Sequence, residues 1–110
     1  MTNQIAAVID PFVQRGLFES SEKAVFAMAY DYVLHQVEHY KVKIARLQNK
    51  HGMNYEQFES YLKARSKTLA ATPNSELNRA IMLEEEDALN WKIARDMLAS
   101  WLGVQSEVRN

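Results

Sequence analysis

The chain of 110 residues has the length of one domain, and its 47% hydrophobic and 25% charged residues, with three Gly and two Pro, are typical of a folded helical protein. It contains no cysteine, which excludes disulfides, thiol chemistry and cysteine-bound zinc. No apolar run approaches the ~20 residues that span a bilayer, and the first residues lack a signal-peptide pattern, so we expect one cytoplasmic domain over residues 1–110.

The net charge of −1 hides a separation of charge along the chain. Residues 1–40 hold two basic and five acidic residues, a net of −3, and residues 41–67 hold seven basic and two acidic, a net of +5. Residues 68–110 hold four basic and seven acidic, a net of −3. The middle block is either a solvated surface or a weak nucleic-acid contact, and the outer blocks are where a basic partner would bind.

A short first helix is predicted over residues 4–15, because apolar residues recur there at helical spacing and Gly16 follows as a stop. Residues 5–9 could equally be extended. Ser20 or Ser21 then caps a second helix that ends near His51 and Gly52, about 30 residues or ~45 Å long. A compact domain of this size is only about 34 Å across, so we expect an elongated molecule or a second chain.

The second helix carries apolar residues at alternating steps of four and three, which is the pattern of a coiled-coil seam. We predict that this seam joins two chains in a homodimer. Its members are Phe26, Tyr30, Val33, Val37, Tyr40, Ile44 and Leu47.

Two further helices complete an all-α fold of about four helices. Asn54 and Gln57 form a predicted capping box for the third, and Asn74 or Ser75 caps a fourth that runs to about Leu102, before Gly103. Residues 103–110 are expected to fray.

The fourth helix has two apolar stripes on nearly opposite sides. One contains Leu77, Ile81, Ala88, Trp91, Leu98 and Leu102, and the other contains Met82, Leu89, Ile93 and Met97. A small chain cannot easily bury both, so we predict a partner-binding site on this helix. Its expected anchors are Trp91, Leu98 and Trp101, and the acidic run Glu84, Glu85, Glu86 and Asp87 would guide a basic partner unless it is simply solvated. Both tryptophans could instead lie in a homodimer core.

His35, Glu38 and His39 match the pattern H-x-x-E-H, in which two histidines one helical turn apart hold zinc. A third ligand would have to come from the acidic run. On the heptad both histidines lie toward the outer face, so we expect solvated histidines, no bound metal and no cofactor. No Glu-x-x-His pair of a di-iron bundle, phosphate loop or catalytic triad is present.

Residues 9–25, with Gly16, Phe18, Ser20 and Ser21 at the turn, resemble the helix, glycine turn and capped second helix of ribbon-helix-helix antitoxins. The resemblance covers about a quarter of the chain. It implies a dimer that neutralises a toxin through its C-terminal segment and reads DNA through an N-terminal β-ribbon. Residues 1–9 contain no Lys or Arg, so we expect weak or absent DNA binding.

We therefore expect a dimerising, non-enzymatic binding protein that is antitoxin-like and holds a partner protein through its C-terminal helix. The alternatives are a structural helical adaptor without a toxin and a metal-binding module that uses the histidine motif.

Overall fold

The computed structural model describes residues 3–108, and these form four α-helices with no strand among them. The helices are α1 (Asn3–Gln14), α2 (Ser21–His51), α3 (Tyr55–Ala71) and α4 (Ser75–Glu107). The radius of gyration is 21.7 Å and the molecule measures 69 × 25 × 21 Å, whereas a compact chain of this length has a radius of about 13 Å. The predicted all-α, elongated fold with one long second helix is confirmed.

The ends of the helices follow local capping rules. The Ser20 side chain accepts a hydrogen bond from the backbone N–H of Lys23 and begins α2. Gly52, with a left-handed φ of 63°, ends α2 by donating its N–H to the carbonyl of Gln48 at 2.7 Å. Asn54 and Gln57 form the predicted capping box of α3, with bonds of 2.8 and 2.9 Å. The Asn74 side chain likewise accepts a hydrogen bond from the backbone N–H of Leu77 and begins α4. Residues close in sequence therefore set the starts of α2, α3 and α4.

Both α2 and α3 run antiparallel to α4. On α2, Tyr32 contacts Trp101 and the later residue His51 contacts Asp87. The same reversal holds for α3. There Glu56 pairs with Arg95 at 3.0 Å, and Arg65 pairs with Glu84 at 2.8 Å. The first half of α4 therefore lies beside α3 and its second half beside α2.

The small core lies where α2, α3 and α4 meet. Phe58, Leu62 and Trp91 are buried at its centre, and Trp91 has 0% of its surface exposed. Partly buried apolar residues surround them, namely Ile44, Leu47, Met53, Tyr55, Tyr61 and Ala88. At the other end of the molecule α1 packs on the first half of α2, and Ile9 and Ala24 are buried there. The helices form a long, thin body with little interior.

Two expectations about the ends of the chain are wrong. Residues 3–14 are helical, so the alternative of an extended segment over residues 5–9 does not hold. The fourth helix does not stop at Leu102, because it continues through Gly103 to Glu107. Gly103 has a helical backbone and lacks the positive φ that Gly16 and Gly52 adopt, so it does not end the helix. The rest of the expected ribbon and frayed tail, at residues 1, 2, 109 and 110, lies outside the described residues.

Candidate partner-binding surface

The two apolar stripes predicted on α4 are present, and the structure shows which of them faces inward. Ile81 and Trp91 of the first stripe are buried, and Leu77, Ala88 and Leu98 are half-buried. Leu102, at the end of this stripe, is exposed. Since α2 and α3 both pack on this side of α4, the opposite side faces away from the protein.

The second stripe remains in contact with solvent. Its residues lie within an arc of about 80° on the helix, at about 100° per residue. Because α4 continues past Gly103, Val104 joins the four residues predicted from the sequence. We call this set the outer stripe: Met82 (61% exposed), Leu89 (59%), Ile93 (47%), Met97 (half-buried) and Val104 (37%). Apolar surface in water is unfavourable by roughly 25 cal/mol per Å², so this face favours contact with another molecule.

Two residues of the acidic run beside the outer stripe pair with other helices of the chain, and two are exposed to solvent. Glu84 accepts a hydrogen bond from Arg65 of α3 at 2.8 Å. Asp87 lies 2.7 Å from Nζ of Lys50 and 2.8 Å from Nε2 of His51, both on α2. Burial raises the pKa of Asp87, but the hydrogen bonds from Lys50 and His51 outweigh it and hold the pKa below its ordinary value. Glu84 and Asp87 therefore pair within the chain, whereas Glu85 and Glu86 are exposed, and guidance of a basic partner by the run stays a prediction.

The predicted tryptophan anchors belong largely to the interior. Trp91 is completely buried and contacts Phe58, with a distance of 5.6 Å between ring centroids, so it is a core residue and not an interface anchor. Trp101 is half-buried against Tyr32 of α2, with 5.6 Å between the ring centroids. Leu98 is also half-buried. The sequence pattern placed these residues on a partner because they are large and apolar, but α2 and α3 of the same chain cover their side of α4.

The predicted dimer seam of α2 is also occupied within one chain. Val33 and Val37 are buried, and Tyr40, Ile44 and Leu47 are half-buried because α4 packs along this face. Only its beginning is open. Phe26 is 51% exposed, and its ring stacks on that of half-buried Tyr30 at 6.1 Å. From Val33 onward the seam therefore contacts α4 of its own chain, contrary to the expectation that it joins two copies.

The H-x-x-E-H motif lies on the outside of α2. His35 is exposed, with Nδ1 2.9 Å from the carbonyl of Asp31, and His39 is exposed beside the ring of Tyr40. Asp87 contacts His51, which lies about 18 to 24 Å along the helix from the two motif histidines. The acidic run therefore does not supply a third ligand. Within residues 3–108 no group of three or more His, Asp and Glu residues could hold a metal ion.

A groove between α3 and α4 borders the outer stripe at Leu89. It has a volume of about 420 Å³, with Leu62 and Ala88 among its lining residues. Lys63 and Lys67 of α3 line it together with Lys92 of α4, and none of the three takes part in an ion pair within the described chain. Glu59 and Glu85 line the same groove, so the first half of the outer stripe is flanked by charges of both signs.

The turn that resembles the antitoxin family has the predicted local geometry. Gly16 has a left-handed φ of 76°, the rings of Phe12 and Phe18 meet edge to face at 6.4 Å, and Ser20 caps α2. The residues that would form the β-ribbon are instead helical from Asn3 onward. The helix–turn–helix hairpin is therefore present, but residues 3–9 do not form the β-strand that would read DNA.

Comparisons with known proteins add no relative. No family model matches the chain, and neither the curated proteins nor the solved structures include a significant match. Within the described residues no helix is long and apolar enough to cross a membrane.

Proposed function

We propose that this chain is a non-enzymatic helical interaction protein that binds another protein chain through the outer stripe of α4. The exposure of Met82, Leu89 and Ile93 on one face of a rigid helix carries this proposal. Helical recognition commonly uses apolar residues one or two turns apart on a single face, and these three lie seven and four residues apart. Exposed Glu85 and Glu86 and unpaired Lys63 and Lys67 provide a polar rim.

The proposal is tested by placing a photo-crosslinking amino acid at single positions in cells that express the chain. We expect adducts from positions 89 and 93, in the outer stripe, and few from position 42. Val42 is the matched control because it is an exposed apolar residue on α2, outside the stripe. Adducts of equal yield at all three positions would contradict a binding surface on α4.

A purified partner identified in this way then permits a quantitative test. Ile93→Glu should weaken its binding at least tenfold, because a carboxylate would have to be desolvated at the centre of the interface. Val42→Glu should leave the affinity unchanged. Circular dichroism of both variants would show whether the helices remain intact.

An antitoxin-like role is the specific form of this function that the N-terminal hairpin supports. Gly16, Phe18 and Ser20 adopt the arrangement on which the resemblance depends, and α4 is the C-terminal segment that would hold a toxin. DNA binding is not part of the proposal, because residues 3–14 are helical. The test is coexpression with the reading frame next to this gene. The neighbouring product should arrest growth alone, and this chain, but not Ile93→Glu, should relieve the arrest.

A further inference from the structure

The outer stripe is symmetric about Ile93. Leu89 lies four residues before Ile93 and Met97 lies four after it, while Met82 lies eleven before and Val104 eleven after. A two-fold axis at Ile93 would therefore place apolar residues opposite apolar residues along a pair of antiparallel α4 helices. Ile93 would meet its own copy, Leu89 would meet Met97, and Met82 would meet Val104. The matched region from Met82 to Val104 holds 23 residues and is about 33 Å long.

We propose that the occupant of the outer stripe is a second copy of this chain, bound antiparallel about Ile93. This inference rests on the proposed function and names the partner. A foreign amphipathic helix needs apolar residues on one face but no mirror symmetry in their spacing, whereas an isologous dimer needs residues on one side of the axis to complement those on the other. The symmetric spacing is therefore the feature that favours a second copy.

The polar positions of the stripe are compatible with the same register. Glu86 lies seven residues before Ile93, and Ser100 lies seven after it. Each Glu86 would therefore face a serine. The two Glu86 residues would be 14 positions apart along the interface, about 21 Å, beyond the ~8 Å over which exposed charges interact in physiological salt. The antiparallel arrangement thus avoids repulsion between like charges at the interface.

The surface of the molecule leaves room for such an interface. The chain exposes 8115 Å², whereas a compact monomer of this mass exposes about 6,200 Å². The excess is about 1,900 Å², and a standard dimer interface covers about 800 Å² of each partner. Pairing along α4 would cover part of this excess surface.

The oligomeric state is the first test. Light scattering behind size exclusion at 100 µM should give twice the chain mass of 12.7 kDa. Ile93→Glu should elute as a monomer with unchanged helicity, because two carboxylates would meet at the axis. Val42→Glu should remain a dimer. A wild-type protein that is monomeric at this concentration would overturn the inference.

Disulfide crosslinking tests the register and does not depend on the Glu variant folding. Because the chain has no cysteine, single cysteines can be introduced without a background. Ile93→Cys should form a crosslinked dimer readily on oxidation. Leu89→Cys alone should crosslink poorly, because its two copies lie about 12 Å apart along the axis, but a mixture of Leu89→Cys and Met97→Cys should crosslink efficiently.

The results separate the two proposals. Equal crosslinking of Ile93→Cys and Leu89→Cys would indicate a parallel pair and would overturn the antiparallel inference. A wild-type monomer whose outer stripe crosslinks to a different protein in cells would also overturn it, while the proposed function would stand. A monomeric wild-type protein that gives no adducts at positions 89 and 93 would contradict both the proposed function and the antiparallel dimer.

Discussion

His51 of α2 and Asp87 of α4 join the three helices that enclose the core. Nε2 of His51 lies 2.8 Å from Oδ2 of Asp87, and the His51 side chain is only 10% exposed. The imidazole ring also lies on Phe58 of α3, with 4.1 Å between ring centroids. Because Gly52 ends α2 immediately afterward, this contact holds the last turn of α2 against both of its neighbours.

Acid should destabilise the protein partly through Asp87. Its pKa in the folded chain lies below the ordinary value of 3.8, so the carboxylate contributes stability above that value and loses the contribution as pH falls through the lower, folded-state pKa. Asp87→Asn should therefore lower the free energy of unfolding at neutral pH and reduce its loss below pH ~4. Urea unfolding from pH 3 to 7, followed by circular dichroism, measures both effects.

The control for this experiment is Asp31→Asn. Asp31 pairs with His35 on the surface of α2, and both side chains are largely exposed, so the substitution should change stability by no more than about 1 kcal/mol. An Asp87→Asn protein with the acid sensitivity of the wild type would show that the carboxylate does not carry the effect.

The two tryptophans should differ in their contribution to stability. Trp91→Ala should lower the free energy of unfolding by about 3 to 5 kcal/mol, because it leaves a large cavity beside Phe58 and Leu62. Trp101→Ala should cost less, since the residue is half-buried. Thermal unfolding compares them, and Trp91→Phe is a control that keeps an aromatic ring in the core. Equal melting temperatures for Trp91→Ala and the wild type would contradict the assignment to the core.

Substitution in the α2 seam should affect folding within one chain. Val37→Glu should cause extensive unfolding, because the carboxylate would be buried between α2 and α4 without a partner. Leu34→Glu, on an exposed side of the same helix, should leave the helical signal unchanged. A folded Val37→Glu monomer with wild-type stability would instead support a seam between two chains.

Gly103 provides a test of the length of α4. Gly103→Ala should stabilise the protein by about 0.5 to 1 kcal/mol, because alanine favours a helix interior and no atom lies within 4 Å of an added Cβ. Gly52→Ala should destabilise the protein by roughly 1 kcal/mol or more, since its φ of 63° is strained for alanine. Urea midpoints distinguish the two. A neutral Gly103→Ala would be the result expected if residues 103–107 frayed.

Local patterns in the sequence determined most of the helices. The Ser20 cap, the Asn54 and Gln57 box and the stop at Gly52 each depend on residues no more than four positions apart. The same local rules misplaced the end of α4, because they treated Gly103 as a stop. A glycine stops a helix only when it adopts a left-handed conformation, as Gly16 and Gly52 do, and a helical Gly103 does not.

Apolar periodicity in the sequence also located the two stripes of α4, but only the tertiary structure decided which one faces inward. Trp91 and Leu89 are both large and apolar, yet one is buried and the other exposed, because α2 and α3 pack on the same side of α4. A heptad likewise predicts a helical neighbour without specifying its chain. The seam at Val33 and Val37 makes the same kind of side-chain packing with α4 of its own chain as it would with a second copy, so the path of the chain had to be known before the two could be distinguished.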